Sequence, residues 1–165
     1  MDRLILLRHA KAEGDAPSGD DFDRRLSPRG RREAKGAGEL LAALGLRPDV
    51  ALVSAAQRTR ETWELAEETL AGAEVRFEAA LYNAEAGAIR RLAEAAGEGR
   101  GTVIVVGHNP GIQELAAQLM RDGTAPAAFL ARAQRDFPPA AMAVFDIDAS
   151  GRATADGLYF PERKA

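Results

Sequence analysis

Two histidines, His9 and His108, are the only imidazoles in this sequence of 165 residues, and each stands one residue beyond a short apolar run. Arg8 stands before His9, while His108 sits in the string Gly107-His108-Asn109-Pro110. A third apolar run ends at Ser54, with Arg58, Thr59 and Thr62 a few residues further on. If these runs are neighbouring parallel strands, two imidazoles and two guanidiniums meet at one edge of a sheet, where open α/β folds bind their ligands. A guanidinium is always charged and presents a planar fork of donors that matches phosphate oxygens, so the set describes a site for a phosphoryl group. Asn109 and Pro110 read as an N-cap and first-turn pair, which would turn the free amides of a following helix toward the same anion.

Moving phosphate from such a site requires a metal or a nucleophile. Two histidines without a spaced cluster of carboxylates do not make a dedicated metal site, and the chain has no cysteine. Neither a P-loop nor a nucleophile-elbow serine motif is present. Covalent catalysis remains: one imidazole attacks phosphorus, the other assists, and the cations hold the spreading negative charge. Neither a metal nor a cofactor is expected.

The elements that must position these residues follow from periodicity. Leu4 to Leu7, Val50 to Val53 and Thr102 to Val106 are continuous apolar runs of the kind buried in parallel strands, and Glu74 to Phe77 is a weaker strand. Helical spacing covers Ser27 to Leu44, opened by a Ser-Pro cap, then Gln57 to Leu70, Ala86 to Ala96, and a segment from Asn109-Pro110 to Met120. Met142 to Ile147 and Ala153 to Phe160 flank a turn at Ala149 to Gly151 and read as a hairpin. Gly97, Gly99 and Gly101 precede a strand instead of following one, so they mark a helix-ending turn and not a dinucleotide loop. Trp63 reads as packing. Ala12 to Asp23, rich in Gly, Asp and Ser, reads as the mobile loop. Strand and helix alternate, which predicts a three-layer α/β/α sandwich around a mostly parallel mixed sheet, with residues 1–165 forming one domain.

Composition narrows the partners. A net charge of -3 with interspersed signs gives no basic field for nucleic acid, and the first apolar run is too short for a signal core or membrane span. A cytoplasmic protein that binds a phosphorylated protein or a small phosphorylated molecule is expected, with neither nucleic acid nor membrane as a partner.

With Arg8-His9 at one strand end, Ser54 to Arg58 and Thr62 after the next, and Gly107-His108 after a Val/Ile strand, the chain resembles the histidine phosphatase superfamily, with its phosphoglycerate mutase-like fold. Its short length, Leu26-Ser27-Pro28-Arg29-Gly30, Gly107-His108-Asn109-Pro110 and the stretch from Phe137 to Asp146 look most like the SixA phosphohistidine phosphatase branch. The resemblance implies that His9 is the nucleophile, that Arg8 and Arg58 bind the phosphoryl oxygens, and that His108 completes the pocket as a donor to phosphate. The glycine usual after the family's histidine is Ala10 here, still small.

Relatives that cleave phosphate esters carry a carboxylic acid in the segment after the third strand, where this chain offers only Glu78 and Glu85 in contexts that do not align. An alkoxide leaving group needs a proton, whereas a protonated imidazole leaves phosphorus with far less help. The pattern therefore implies a phosphohistidine phosphatase working through phosphorylated His9. The alternatives are a phosphatase for small phosphate esters and a non-catalytic module that binds phosphate. A mutase is disfavoured because so short a chain has little room for an enclosing lid.

Overall fold

Continuous Val, Ile and Leu runs bury both faces of a strand, so a sheet made of them must be covered by helices on both sides. The computed structural model describes residues 1–162, and its six strands form one sheet of that kind. The strands are β1 (Arg3–Arg8), β2 (Val50–Ser54), β3 (Glu74–Glu78), β4 (Thr102–Gly107), β5 (Met142–Ile147) and β6 (Ala153–Tyr159), in the order β3-β2-β4-β1-β5-β6. The first four run parallel. The fifth and sixth are antiparallel and form the hairpin expected from their sequence.

Alternate side chains of the central strands supply two cores. On one face Leu4, Leu6, Val103 and Val105 pack with side chains of α3 (Ala86–Ala96), α4 (Gly111–Asp122) and α5 (Ala127–Arg135). On the other, Ile5, Leu7, Ile104 and Val106 meet α1 (Pro28–Ala43) and α2 (Gln57–Ala66), whose Trp63 is buried as packing. The result is the three-layer sandwich with a mostly parallel mixed sheet. Leu4 to Leu7 are each at most 2% exposed, and burying a side chain of that size contributes roughly 1.5–3 kcal/mol. That surplus lets the strand ends carry residues suited to chemistry instead of packing.

Several local expectations are met and several corrected. Ser27 Oγ accepts from the Gly30 amide at 3.0 Å, with Pro28 in the first turn, so the α1 cap is as read. Gly97 caps α3 and Gly99 takes a left-handed φ of 73°, making the helix-ending turn. Asn109, in contrast, is not a helix cap. α4 begins at Gly111 with Pro110 at the N-cap position and no side-chain cap bond; the Asn109 side chain is turned to Phe137, its Nδ2 donating to that carbonyl at 2.9 Å. The short α5 lacked a start signal strong enough to be read. The segment expected to be a mobile loop is tied down: Ala12 bridges to Leu26, Asp20 accepts from the Phe22 amide, and Asp21–Asp23 form a 3₁₀ turn. None of the described helices is long and apolar enough to cross a membrane.

Gly30 lies where the first turn of α1 crosses the backbone just beyond His9, and a Cβ there would collide with the Lys11 carbonyl. Gly30→Ala is therefore expected to lower stability by about 1–3 kcal/mol, despite the better helix propensity of alanine, as measured by chemical denaturation. An unchanged or raised midpoint would contradict this packing.

Candidate active site

The parallel pairing of β1 with β4 sets Arg8 level with Gly107. The residues that follow therefore leave adjacent strands at the same height, and the rings of His9 and His108 lie 5.4 Å apart between centroids. A bond of 3.0 Å from the His9 amide to the Gly107 carbonyl prolongs the ladder to this point. Both histidines and Arg58 are buried, at 7%, 9% and 5% exposure.

Each imidazole is oriented by its own partner. His9 Nδ1 lies 2.7 Å from the Ala10 carbonyl oxygen. A carbonyl only accepts, so the proton sits on Nδ1, and Nε2 keeps the free lone pair. The Ala10 amide donates to Thr62 Oγ1 at 3.0 Å, and that hydroxyl donates to the Arg58 carbonyl at 2.7 Å, which ties the segment after His9 to α2. His108 Nε2 lies 2.8 Å from the hydroxyl of Ser54, the fully buried residue at the end of β2. Its other nitrogen, Nδ1, is buried without a hydrogen-bond partner among the described residues, as is Arg58 Nε. A buried donor left unmatched costs about 1–3 kcal/mol, which an incoming anion would relieve.

The cations are held by loops. Arg8 Nη1 donates to the Phe137 carbonyl at 3.0 Å, the same oxygen that receives the Asn109 amide. Arg58 stands in the first turn of α2, where its Nη1 donates to the Asp21 carbonyl at 2.8 Å and its Nη2 to Asp21 Oδ2 at 3.2 Å. Tyr82 donates its hydroxyl to the same Oδ2 at 2.5 Å, and Arg24 Nε reaches Oδ1 at 2.9 Å. The Tyr82 ring lies 5.6 Å from that of His108 and 5.1 Å from that of Phe22, so aromatic rings run from the rim down to His9. The structure thus gathers Arg8, His9, Arg58 and His108, and adds Asp21, Tyr82 and Phe22. Glu78 ends β3 level with Ser54, and exposed Glu85 precedes α3 without capping it by its side chain. Asp21 is the carboxylate hydrogen-bonded to an arginine of the cluster.

Charge states follow from burial and neighbours. Burial, above all, lowers the His9 pKa to about 3; the Ala10 bond opposes this, while His108, Arg8 and Arg58 add to it. Burial likewise lowers His108 to about 4, helped by Arg58. The Tyr82 hydroxyl, followed by Arg58 and Arg24, holds Asp21 at about 2, and its bond to Asp21 raises the Tyr82 phenol. At neutral pH the site therefore offers two neutral imidazoles, guanidinium cations and one ionised carboxylate. This set can attack and hold a phosphoryl group but contains no ready proton donor. Among the described residues, no group of three His, Asp or Glu side chains is gathered that could hold a metal ion.

Comparison with known proteins agrees with this geometry. Residues 4–96 match the model of the histidine phosphatase superfamily, branch 1. An uncharacterized protein of Mycobacterium tuberculosis is 36% identical over 142 residues, covering 86% of this chain and 87% of that protein. The crystal structure of a protein provisionally designated the phosphohistidine phosphatase SixA of Agrobacterium tumefaciens superposes with a TM-score of 0.85 at 32% identity, covering 97% of this chain and 98% of that one. A second protein given the same provisional designation, from Nakamurella multipartitia, superposes with a TM-score of 0.83 at 30% identity, covering 97% and 96% of the two chains.

Because both histidines have depressed pKa values in the fold, the unfolded chain takes up protons that the native state refuses. Their contribution to stability is thus present above the unfolded pKa of 6.5 and is lost as pH falls from there toward about 4 for His108 and about 3 for His9. In an NMR titration both imidazoles are expected to remain neutral from about pH 8 down to about pH 5. A midpoint near 6.5 for either ring would contradict the burial described.

Proposed function

This chain belongs to branch 1 of the histidine phosphatase superfamily, and from that premise we propose that it hydrolyses phosphohistidine on a protein through a covalent phosphoryl intermediate on His9. The observation that carries the reading is the bond from His9 Nδ1 to the Ala10 carbonyl. It leaves Nε2 unprotonated and aimed away from the backbone, the form in which imidazole is a nucleophile.

In this reading the phosphoryl oxygens lie against Arg8, Arg58 Nε and His108 Nδ1. His9 Nε2 forms a bond to phosphorus as the bond to the substrate nitrogen breaks, and the electron pair of that bond returns to the leaving ring. Nδ1 keeps its proton, donated in a hydrogen bond to the Ala10 carbonyl, so the phosphoenzyme is a protonated phosphoimidazole, the same chemical species as a protonated phosphohistidine substrate. Transfer between the two is close to thermoneutral and needs no added acid. An alkyl ester would instead expel an alkoxide into a site whose nearby carboxylate is ionised. Water then attacks phosphorus, and His9 leaves as neutral imidazole, ready for another cycle. Ser54 is compatible with the role given to His108: when its hydroxyl donates to Nε2, the remaining proton of the ring is on Nδ1. No step calls on a metal ion. The provisional designation of two structural relatives as SixA phosphohistidine phosphatases agrees with this choice of substrate.

The test is release of inorganic phosphate from a phosphohistidine-bearing peptide, with and without a chelator. Wild type is expected to be indifferent to the chelator, and His9→Ala to lose activity by at least about a thousandfold. Full activity in His9→Ala would overturn the nucleophile, and phosphate binding without any turnover would make the protein a binding module.

A further inference from the structure

Asp21 has no place in the phosphoryl-transfer step just described, yet it takes both terminal nitrogens of Arg58, through its carbonyl and its carboxylate. Arg58 Nε is buried and unmatched, and each terminal nitrogen has a second N–H, so the side chain still has donors for a phosphoryl oxygen. The carboxylate therefore stands one guanidinium width from the phosphoryl site. It lies on the rim, with its side chain 53% exposed, and not in the core. Tyr82 and Arg58 occupy Oδ2 and Arg24 takes one position on Oδ1, so acceptor capacity remains on Oδ1 for a group arriving from solvent. Beside it the rings of Tyr82 and Phe22 form an aromatic wall continuous with His108.

An anion on the rim of a site built for anions is an obstacle to most phosphate esters, since like charges placed close together repel. It becomes an advantage when the phosphoryl group is carried on a flat cationic ring. We propose that Asp21 is a specificity-determining residue that selects substrates whose phosphoryl group is carried by an imidazolium ring, by pairing with the N–H of the ring nitrogen that does not carry phosphorus. This rests on the phosphohistidine reading above and deepens it.

The chemistry balances without a proton donor. When the distal nitrogen is protonated, breaking the P–N bond returns an electron pair to the proximal nitrogen, and the ring departs as neutral imidazole with its distal proton retained. When the distal nitrogen is not protonated, the same step would expel imidazolate, a far poorer leaving group. A carboxylate at that distal N–H favours the protonated, reactive form, while the Tyr82 and Phe22 rings offer faces to a flat cation. Asp21 then does by charge what an ester-cleaving relative does with a carboxylic acid, and it must be ionised to do so.

The experiment compares kcat/KM for a phosphohistidine peptide and for p-nitrophenyl phosphate, which also presents a ring but no cationic nitrogen, in wild type, Asp21→Asn and Asp21→Glu. Asn keeps an acceptor for Arg58 and removes the charge, whereas Glu restores it. The ratio of the two kcat/KM values is expected to fall about five- to tenfold in Asp21→Asn, in favour of p-nitrophenyl phosphate, and to stay within about twofold of wild type in Asp21→Glu. An unchanged ratio overturns the proposal, as does a parallel fall on both substrates, which would make Asp21 only a support for Arg58. Both of those results leave the phosphohistidine reading standing. Wild type that cleaves p-nitrophenyl phosphate but not the phosphohistidine peptide overturns that reading, and this proposal with it.

Discussion

A hydrogen bond of 2.7 Å from His9 Nδ1 to the carbonyl of its own neighbour Ala10 governs what this site can do. It fixes one tautomer in a ring that would otherwise exchange between two, and it is a local bond, made within the turn that ends β1. The turn is held in place from outside, since the Ala10 amide is committed to Thr62 and Thr62 to the first turn of α2. His9 and Arg58, the proposed nucleophile and the proposed phosphate-binding arginine, are thereby tied to one strand end and one helix.

Burial makes that arrangement reactive. An exposed imidazole would be partly protonated near neutrality, whereas burial lowers the pKa of His9 to about 3 and that of His108 to about 4, so both rings stay neutral there. The surrounding guanidiniums lower the two histidines further, so the cations proposed to bind phosphate also keep the imidazoles neutral. The cost is borne by the core: the parallel strands β1, β2 and β4 are apolar along nearly their whole length, and chemistry begins only where they stop. Register completes the design, because a shift of β1 against β4 by a single residue would separate the imidazoles.

Much of this was legible in the sequence because strand ends announce themselves. The apolar runs to Leu7, Val53 and Val106 locate three strands, and the polar residues immediately beyond them, Arg8-His9, Ser54 with Arg58, and Gly107-His108, are those the fold brings together. Asn109 misled because an Asn-Pro pair has the local chemistry of a helix cap, and only the long-range bond to Phe137 diverts its side chain. Asp21 was hidden in a segment with no hydrophobic period, where nothing local distinguishes it from Asp20 or Asp23; its meeting with Arg58 and Tyr82 spans 37 and 61 residues. Tyr82 lies between Glu78 and Glu85, in a stretch where the resemblance points to a carboxylic acid and not to a phenol. Tertiary hydrogen bonds to loop residues have no one-dimensional signature, whereas burial periodicity does.

The most direct test of the account is to trap the phosphoenzyme by rapid quenching during turnover of a phosphohistidine peptide and to determine which nitrogen carries phosphorus. The Ala10 bond requires the label on His9 Nε2, stable to alkali and labile to acid. A phosphoryl group on His9 Nδ1 or on His108, or turnover with no label at all, would contradict the account at its foundation.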